Sequence, residues 1–354
     1  MSLKNTLLSD IEENNLINRF ASAIPRADCS INKTHESDAE IMDIGDSNSY
    51  FAVTTDQVAE EITAGLYKDP YLMGWMSVAV NLSDLAAVGA EPLGLVLSTT
   101  LSPDWDDALI QKVIQGISDA LTAHNCGSLG GDLNSGEPSL GATALGRVPR
   151  DRVMGRTGMK NGDKLYVTGK MGLGGLFALC ALEMPERLSD ISFQPHARLK
   201  EAAVISAYAS SCMDTSDGII FALDQLFRLN HAAFHLHAVD TFVHDDVKKM
   251  SDALNIPSLA FLCAVHGEFE LVFTIPPDRE ASFCDEMNRN GYDYYCIGTV
   301  EKNENRSPGV YIDGKLFPGG KIRNLWGGGM PNEMYISSVL QEIETFYKRE
   351  AQLV

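Results

Sequence analysis

The stretch from Asn81 to Pro92 constrains this chain more than any other, because it places one carboxylate inside a helix of small, apolar residues. It reads NLSDLAAVGAEP, and Asp84 is its only charged residue before Glu91. Leucine, alanine and valine can bury most of this helix, and Gly89 followed by a proline marks its end. A lone aspartate on such a helix usually faces solvent. If Asp84 is instead buried, it needs a partner.

Three other short motifs also place aspartate beside an apolar segment. Asp56 ends a Thr-Thr-Asp sequence, Asp132 ends Gly-Gly-Asp, and Asp214 and Asp217 belong to a Met-Asp-Thr-Ser-Asp-Gly sequence that opens a later helix. Taken alone, Asp56 and Asp132 are each better explained as a turn residue at the end of a strand. Carboxylates brought together repel unless a cation lies between them, and oxygen ligands suit Mg²⁺ or Ca²⁺. The set therefore predicts a magnesium site that handles phosphate.

The composition restricts the possible partners. A formal net charge of −20, from 48 acidic and 28 basic residues, disfavours nonspecific binding to nucleic acids or anionic membranes. It still permits an anionic substrate, since bound divalent cations invert the local field. Seven cysteines are dispersed without a Cys-x-x-Cys pair, and no stretch has the apolar length of a signal peptide or a membrane span. These features predict a soluble cytoplasmic protein with reduced thiols.

The 354 residues suffice for two domains. A basic segment at 147–158 marks the expected boundary, so we predict an N-terminal domain at residues 1–148 and a C-terminal domain at residues 149–354. Apolar periodicity in the first domain predicts alternating elements, namely helices at 72–88 and 105–124 and strands at 50–54, 94–101 and 140–148.

Two glycine-rich stretches interrupt this pattern. The first, residues 127–136, is predicted to be a loop. The second, residues 169–175, leads directly into a helix, where backbone N–H groups and the helix dipole favour an anion. Because it matches neither Walker nor dinucleotide spacing, a tight turn explains it equally well. The chain is expected to end in an amphipathic helix that begins near Pro331.

Read in order, these motifs resemble the thiamine monophosphate kinase family, in the superfamily of aminoimidazole ribonucleotide synthetase and selenophosphate synthetase. The resemblance covers about residues 30–326 and rests on five matches, Thr54-Thr55-Asp56, the helix motif at 79–90, Gly130-Gly131-Asp132, Val167-Thr168-Gly169 and Asp214-Thr215-Ser216-Asp217-Gly218. It implies an α/β (α+β) fold with two domains. The N-terminal mixed sheet would pair across a homodimer into a β-barrel, and ATP would bind in the cleft before the C-terminal α/β domain.

The resemblance also implies the chemistry, which is Mg²⁺-dependent transfer of the γ-phosphate of ATP to thiamine monophosphate. By this likeness the metal ligands are Asp38, Asp56, Asp84, Asp132, Asp214 and Asp217. The nucleotide and its phosphates would contact Thr55, Gly131, Asp132, Arg156, Gly172 and Gly174. Catalysis would involve Asp84, Ser216 and Asp217. Arg156 is equally compatible with a solvated boundary charge, and Ser216 with a helix N-cap.

Four departures from the family pattern bear on the substrate. Ser37 replaces an aspartate in Gly-Asp-Asp-Ala, and Glu268 replaces the aspartate of Gly-Glu-Asp-Tyr-Glu-Leu. Residues 59–64 read AEEITA where the family has Val-Glu-Gly-Val-His-Phe, so Thr63 and Ala64 stand in place of a histidine and an aromatic ring. The tail beyond Trp326 is an addition. Two alternatives therefore stay open, an ATP-dependent enzyme with a different acceptor and a nucleotide-binding relative without turnover.

Overall fold

The computed structural model describes residues 7–326 and 331–348, which form two mixed β-sheets and the helices that cover them. Two short 3₁₀ helices lie at Pro185–Asp190 and Val239–Thr241. The helices are α1 (Glu12–Ala23), α2 (Ala59–Thr63), α3 (Pro70–Ala87), α4 (Asp107–Ala123), α5 (Leu173–Glu183), α6 (Leu199–Ile205), α7 (Ile219–Asn230), α8 (Asp245–Leu254), α9 (Ser258–Leu262), α10 (Pro277–Asn290), α11 (Gly319–Trp326) and α12 (Asn332–Lys348). The strands are β1 (Glu40–Met42), β2 (Ser49–Gln57), β3 (Glu91–Leu101), β4 (Ser128–Ser135), β5 (Ser139–Pro149), β6 (Lys164–Val167), β7 (Ser211–Asp214), β8 (Ala233–Leu236), β9 (Leu271–Ile275), β10 (Tyr295–Glu301), β11 (Gly309–Ile312) and β12 (Lys315–Leu316).

The first sheet has the strand order β1-β2-β5-β3-β4, with β3 and β4 parallel and the other pairs antiparallel. Its three predicted strands are confirmed as β2, β3 and β5. The prediction of a loop at residues 127–136 is wrong, because Ser128–Ser135 forms the edge strand β4. Glycine permits this pairing, since a Cβ on Gly131 would lie 2.2 Å from the carbonyl oxygen of Leu97. Asp132 therefore lies inside a strand rather than in a loop.

Helix α3 is the buried centre of the first domain. Asp69 caps its N-terminus by accepting a hydrogen bond from the Tyr71 N–H at 3.1 Å, and Pro70 occupies the first turn, where no N–H partner is needed. It crosses α4 closely, because a Cβ on Gly74 would lie 2.1 Å from a backbone oxygen of that helix. The far end of α3 contacts β7 and α6. Asp84 is thereby carried to the junction of the two sheets.

The second sheet has the order β12-β11-β8-β10-β6-β9-β7, and only β8 and β11 are parallel among its described neighbours. Apolar residues cover both faces. One cluster joins the sheet to α5, α7, α8 and α9, and another joins it to α6 and α10. The fold class that the family resemblance implies, α/β (α+β) with two domains and a mixed N-terminal sheet, is confirmed.

The two chain ends pack on the second half of the molecule. In α1, Asn14 donates a hydrogen bond to Gln225 at 3.0 Å, and Glu13 pairs with Arg323 at 2.7 Å. The expected C-terminal helix is α12, whose buried side chains are Tyr335, Val339, Ile343 and Phe346. Among the described residues, no helix combines the length and the apolarity needed to cross a bilayer.

Candidate active site

Three carboxylates that are far apart in the sequence meet between the two sheets. Asp38 precedes β1, Asp84 lies near the end of α3, and Asp214 ends β7. Each offers an oxygen atom that lies within 4.8 Å of those offered by the other two. We call these three residues the carboxylate cluster. Two of its members come from the first half of the chain and one from the second, so the cluster joins the two sheets.

Asp84 is held by the strand beside its helix. The hydroxyl of Thr54 donates a hydrogen bond to Asp84 Oδ2 at 2.5 Å. Burial raises the pKa of Asp84 well above its usual value, and repulsion from Asp214 and Asp38 raises it further. Asp84 therefore lies in a crowded, negative site rather than on a solvated helix face.

Asp214 is also fixed by hydroxyl groups. Ser83 Oγ donates to Asp214 Oδ2 at 2.7 Å, and Ser216 Oγ donates to Oδ1 at 3.1 Å. Burial and then the charge of Asp38 raise the pKa of Asp214 to about 7, while Ser83, Arg156 and Ser216 oppose this shift. Ser216 thus hydrogen bonds directly to a member of the carboxylate cluster.

Asp38 has a fully buried side chain, and Arg156 is its only ion-pair partner within residues 7–326 and 331–348. Arg156 Nη2 donates to Asp38 Oδ1 at 2.9 Å and is itself only 19 % exposed. Burial alone would lower the pKa of Arg156, but Asp38, Asp214 and Asp84 raise it above its usual value, so the guanidinium stays charged. Arg156 is therefore an internal ion-pair partner and not a solvated boundary charge.

The cluster has the chemistry of a site for a hard divalent cation. Asp38 Oδ2 and the neighbouring Ser37 Oγ are both buried and have no hydrogen-bond partner among the described residues. Buried oxygen atoms without partners are costly unless something fills the site. Three carboxylates beside one arginine also leave uncompensated negative charge. These oxygen donors fit Mg²⁺ or Ca²⁺, which bind carboxylates in preference to other side chains.

Two more aspartates lie at the edge of the cluster. Asn81 holds the backbone of Asp56 through hydrogen bonds of 2.9 and 3.1 Å. The carboxyl group of Asp56 remains partly open to solvent, yet the surrounding protein raises its pKa. Burial raises the pKa of Asp217 to about 6, and Asp56 contributes to the increase at both Asp217 and Asp84. Asp56 is thus within electrostatic range of Asp84, and Asp217 is within range of Asp56 and Arg156, although the oxygens of both aspartates lie outside the 4.8 Å group.

Comparisons with known proteins show which family the chain belongs to. Residues 36–148 match the family model described as "AIR synthase related protein, N-terminal domain". The chain is 30% identical to the thiamine-monophosphate kinase of Escherichia coli O157:H7 over 246 residues, which cover 66% of this chain and 73% of the relative. This chain belongs to the thiamine-monophosphate kinase family. Its counterpart from Methanocaldococcus jannaschii is 28% identical over 320 residues, covering 84% of this chain and 94% of that protein.

Solved structures show the same fold. AaThiL, complexed with AMPPCP and TMP, superimposes with a TM-score of 0.69 over 87% of this chain and 95% of its own, at 21% identity. The hydrogenase maturation protein HypE in complex with ATP gives a TM-score of 0.64 at 16% identity, over 87% of this chain and 90% of its own. Both solved structures therefore share the fold of this chain.

Three predicted site residues lie away from the cluster, on the first sheet. Asp132 is exposed on β4, where Asn134 Nδ2 donates to its carboxylate at 2.8 Å. Gly131 precedes it in the same strand. Thr55 donates to the Ala142 carbonyl of the neighbouring strand at 3.0 Å. Within the single chain, these three residues therefore do not converge on the metal site.

The predicted phosphate loop before α5 contains an internal anion. Glu268 is buried, and its Oε1 accepts a hydrogen bond from the Gly174 N–H at 2.9 Å. Burial raises the pKa of Glu268 to about 7, while the backbone N–H groups of Gly174 and Gly172 oppose the shift. A Cβ on Gly174 would lie 2.3 Å from the Gly267 carbonyl oxygen. The glycines thus let this family member cap its own helix with a carboxylate.

Sequence reasoning did not assign Thr54 or Ser83 to the site. Thr54 could have been found, because residues two apart in a strand share a face and Thr54 precedes Asp56 by two positions. Ser83 gave no signal, since its partner Asp214 is 131 residues away.

Proposed function

We propose that this chain transfers the γ-phosphate of ATP to thiamine monophosphate, giving thiamine diphosphate and ADP. The observation that carries the proposal is the carboxylate cluster of Asp38, Asp84 and Asp214. Membership of the thiamine-monophosphate kinase family and the likeness to AaThiL complexed with AMPPCP and TMP support it.

Asp38, Asp84 and Asp214 would hold Mg²⁺ in this reaction, with Asp56 and Asp217 available at the edge of the cluster. A bound Mg²⁺ neutralises the charge of the phosphates and aligns them. The protein's own task is to fix the carboxylates. Thr54, Ser83 and Ser216 orient them by hydrogen bonds, and Arg156 fixes Asp38.

The reaction needs little proton transfer from the protein. The acceptor is a phosphate monoester, whose second pKa is about 6, so its attacking oxygen already carries negative charge at neutral pH. That oxygen bonds to the γ-phosphorus while the bond from the γ-phosphorus to the β–γ bridging oxygen breaks, and ADP leaves. Two anions must therefore be held together. Positioning and charge neutralisation supply most of the rate enhancement in such reactions.

The active unit would be a homodimer. All eight residues of β4 are exposed, and Leu129 and Leu133 are 55 % and 68 % exposed. Exposed apolar edge strands are usually covered in the native assembly. In the proposed dimer, the first sheets of two copies close into a barrel. Thr55, Gly131 and Asp132 would then contact the nucleotide from a surface that a single chain leaves open, and Gly172 and Gly174 would act by shaping the start of α5.

A second candidate is the same transfer to another acceptor. It is favoured by Thr63 and Ala64, which replace the histidine and the aromatic ring of the family motif and are exposed at the end of α2. A relative without turnover is the third alternative. Ser37 motivates it, but the serine still presents an oxygen atom beside Asp38, so the site keeps its hard-ligand character.

One experiment separates the three. The purified protein is incubated with ATP, Mg²⁺ and thiamine monophosphate, and thiamine diphosphate and ADP are quantified. Formation of both products in equal amounts supports the first function. ADP released only with another phosphorylated acceptor supports the second. Nucleotide binding without any ADP release supports the third and contradicts the proposal.

A further inference from the structure

A cavity of about 230 Å³ opens beside Asp217, at the edge of the carboxylate cluster. Its walls come from α2, α5, the start of α7 and the C-terminal helix α12. The lining residues used below are Glu60, Glu61, Asp217, His266, Tyr335 and Ile336, and we call this cavity the acceptor pocket. It is smaller than the ~300–1,000 Å³ typical of drug-sized ligands, so it suits a small organic group rather than a second nucleotide.

The acceptor pocket is acidic, and one of its carboxylates is unsatisfied. Of the described residues that line it, none is a lysine or an arginine, whereas Glu60, Glu61, Glu183 and Asp217 all contribute. The Oε2 atom of Glu61 is buried and has no hydrogen-bond partner among the residues described. Burial and then repulsion from Glu60, Asp56 and Asp217 raise the pKa of Glu61 to about 7. A buried carboxylate oxygen of this kind is stabilised by a ligand that is cationic or carries an N–H group.

A second unpaired atom lies in the same wall. His266 is 8 % exposed, and its Nε2 is hydrogen bonded to the Tyr67 hydroxyl at 2.8 Å. Its Nδ1 is buried and makes no hydrogen bond of ordinary geometry within the described part of the chain, although the Gly174 backbone approaches the ring. Native proteins leave few buried polar atoms unpaired. The unpaired Oε2 of Glu61, beside a histidine whose Nδ1 has at most a poorly aligned backbone contact, therefore indicates that a ligand completes this pocket.

The C-terminal helix supplies the remaining wall. Tyr335 is buried and donates a hydrogen bond to the Cys263 carbonyl at 3.0 Å, which fixes α12 against α9. Ile336, on the next position of the helix, lines the cavity and stays partly exposed. The family motif has glycine where this chain has Glu61, and the helix itself lies in the added tail. Glu61 and α12 are thus departures from the family pattern.

We propose that, within the acceptor pocket, Glu61 selects phosphate acceptors with a positively charged or amino-substituted heteroaromatic ring, and that Ile336 of α12 limits the size of this ring. This inference rests on the proposed kinase function, because it places the acceptor phosphate toward the carboxylate cluster. Thiamine monophosphate has the required chemistry, with a cationic ring and an amino-substituted ring.

The test uses Glu61→Gln, which keeps the shape of the side chain and removes its charge. The KM for thiamine monophosphate should rise about tenfold or more, as expected for a lost hydrogen bond to a charged group. The kcat and the KM for Mg-ATP should stay within about twofold of wild type. Glu186→Gln is the matched control, since it removes the same charge from an exposed site outside the pocket. An unchanged KM in Glu61→Gln overturns the inference.

Two further measurements separate this inference from the kinase proposal. Calorimetric binding of thiamine, which lacks the phosphate, should weaken about tenfold in Glu61→Gln. If thiamine binds in a Glu61-dependent way but no thiamine diphosphate forms, the proposed kinase function is contradicted and the pocket inference is supported. A wild-type protein that neither binds thiamine nor uses thiamine monophosphate overturns both. Ile336→Trp should fill the pocket and raise the same KM while the KM for Mg-ATP is kept, and equal KM values in this variant and wild type contradict the role of α12.

Discussion

The hydroxyl of Thr54 donates a 2.5 Å hydrogen bond to Oδ2 of Asp84, and so ties strand β2 to helix α3 at the carboxylate cluster. The bond holds the carboxylate in one orientation and favours its charged form. A site for a divalent cation requires both properties, because the ligand must be deprotonated and correctly directed.

Thr54→Val should therefore weaken metal use without changing the side-chain volume much. Loss of a hydrogen bond to a charged group costs about 1.5–3 kcal/mol, so the Mg²⁺ concentration for half-maximal activity should rise about tenfold or more. Thr54→Ser keeps the hydroxyl and should restore most of the wild-type value. Titration of activity with Mg²⁺ at saturating ATP measures the effect. A valine variant with the wild-type Mg²⁺ dependence would remove Thr54 from the site.

Asp84→Asn should abolish Mg²⁺-dependent turnover while the chain stays folded. The substitution removes one of three mutually repelling carboxylates, so the metal-free variant should melt at or above the wild-type temperature. Added Mg²⁺ should raise the Tm of wild type, since a ligand at 100 times its Kd stabilises by about 2.7 kcal/mol. The variant should show no such increase. Thermal melts with and without Mg²⁺ provide the comparison, and a wild-type response in the variant would falsify the assignment of Asp84.

The metal-free protein should lose stability as the pH rises from about 4 to 7. Asp214 titrates near pH 4 in the unfolded chain, but burial and Asp38 raise its folded pKa to about 7, so the folded state holds the proton more tightly. Its contribution to stability is complete below pH 4 and is lost through the folded pKa. Urea unfolding in EDTA at pH 5 and pH 7.5 measures this change.

The same experiment on Asp214→Asn isolates the carboxylate. Histidines with lowered pKa values, such as His266 at about 4, act in the opposite direction, because their protonation favours the unfolded chain as the pH falls. These histidines are present in both wild type and Asp214→Asn, so their effects cancel when the two free energies of unfolding are subtracted. The asparagine variant should gain stability relative to wild type across this window, by up to about 4 kcal/mol. A pH-independent difference would contradict the raised pKa of Asp214.

Asp224 anchors a buried charge network that holds α1 to the second half of the molecule. Its side chain is fully buried, with Arg228 Nε at 2.7 Å and Arg323 Nη1 at 3.5 Å, and Arg323 also pairs with Glu13 of α1. Asp224→Ala leaves two arginines without their internal counter-ion. We expect a loss of about 3–5 kcal/mol in the free energy of unfolding.

The matched control is Asp245→Ala, which breaks the exposed pair of Lys170 and Asp245. Surface pairs of this kind contribute about 0–1 kcal/mol, so this variant should unfold close to wild type. Chemical denaturation of both variants gives the comparison. Equal losses in the two variants would mean that the buried network adds nothing beyond a surface ion pair.

The sequence predicted the parts of this fold that have a clear apolar period. Helix α3 and strands β2, β3 and β5 each lie where the apolar pattern predicts a helix or a strand. As expected, Asp56 lies near the end of β2 and Asp84 near the end of α3. Strand β4 was missed because it is exposed along its whole length and four of the ten residues at 127–136 are glycine, so no apolar alternation marks it. Asp132 was therefore placed in a loop that does not exist.

Contacts between distant residues limited the prediction of the site. The carboxylate of Glu268 accepts a hydrogen bond from the N–H of Gly174 at the start of α5. The two residues are 94 positions apart, so only the folded chain shows this contact. Arg156 allowed two interpretations because its partner Asp38 is 118 residues away. Local sequence patterns identify the aspartates that lie beside apolar segments. The tertiary structure decides which of them meet.

Leu133→Lys should dissociate the proposed homodimer. Leu133 is 68 % exposed on the edge strand β4, and covering it by a second copy would bury a large apolar side chain that the single chain leaves in water. A lysine at this position would place a charge in the interface of both copies. The dimer dissociation constant should rise at least about tenfold, and kcat should fall in parallel if the partner surface completes the nucleotide site. Ile114→Lys changes a similarly exposed apolar residue on α4 and should leave the dimer intact. Analytical ultracentrifugation of the three proteins decides between these outcomes, and a monomeric wild type with full activity would contradict the dimer.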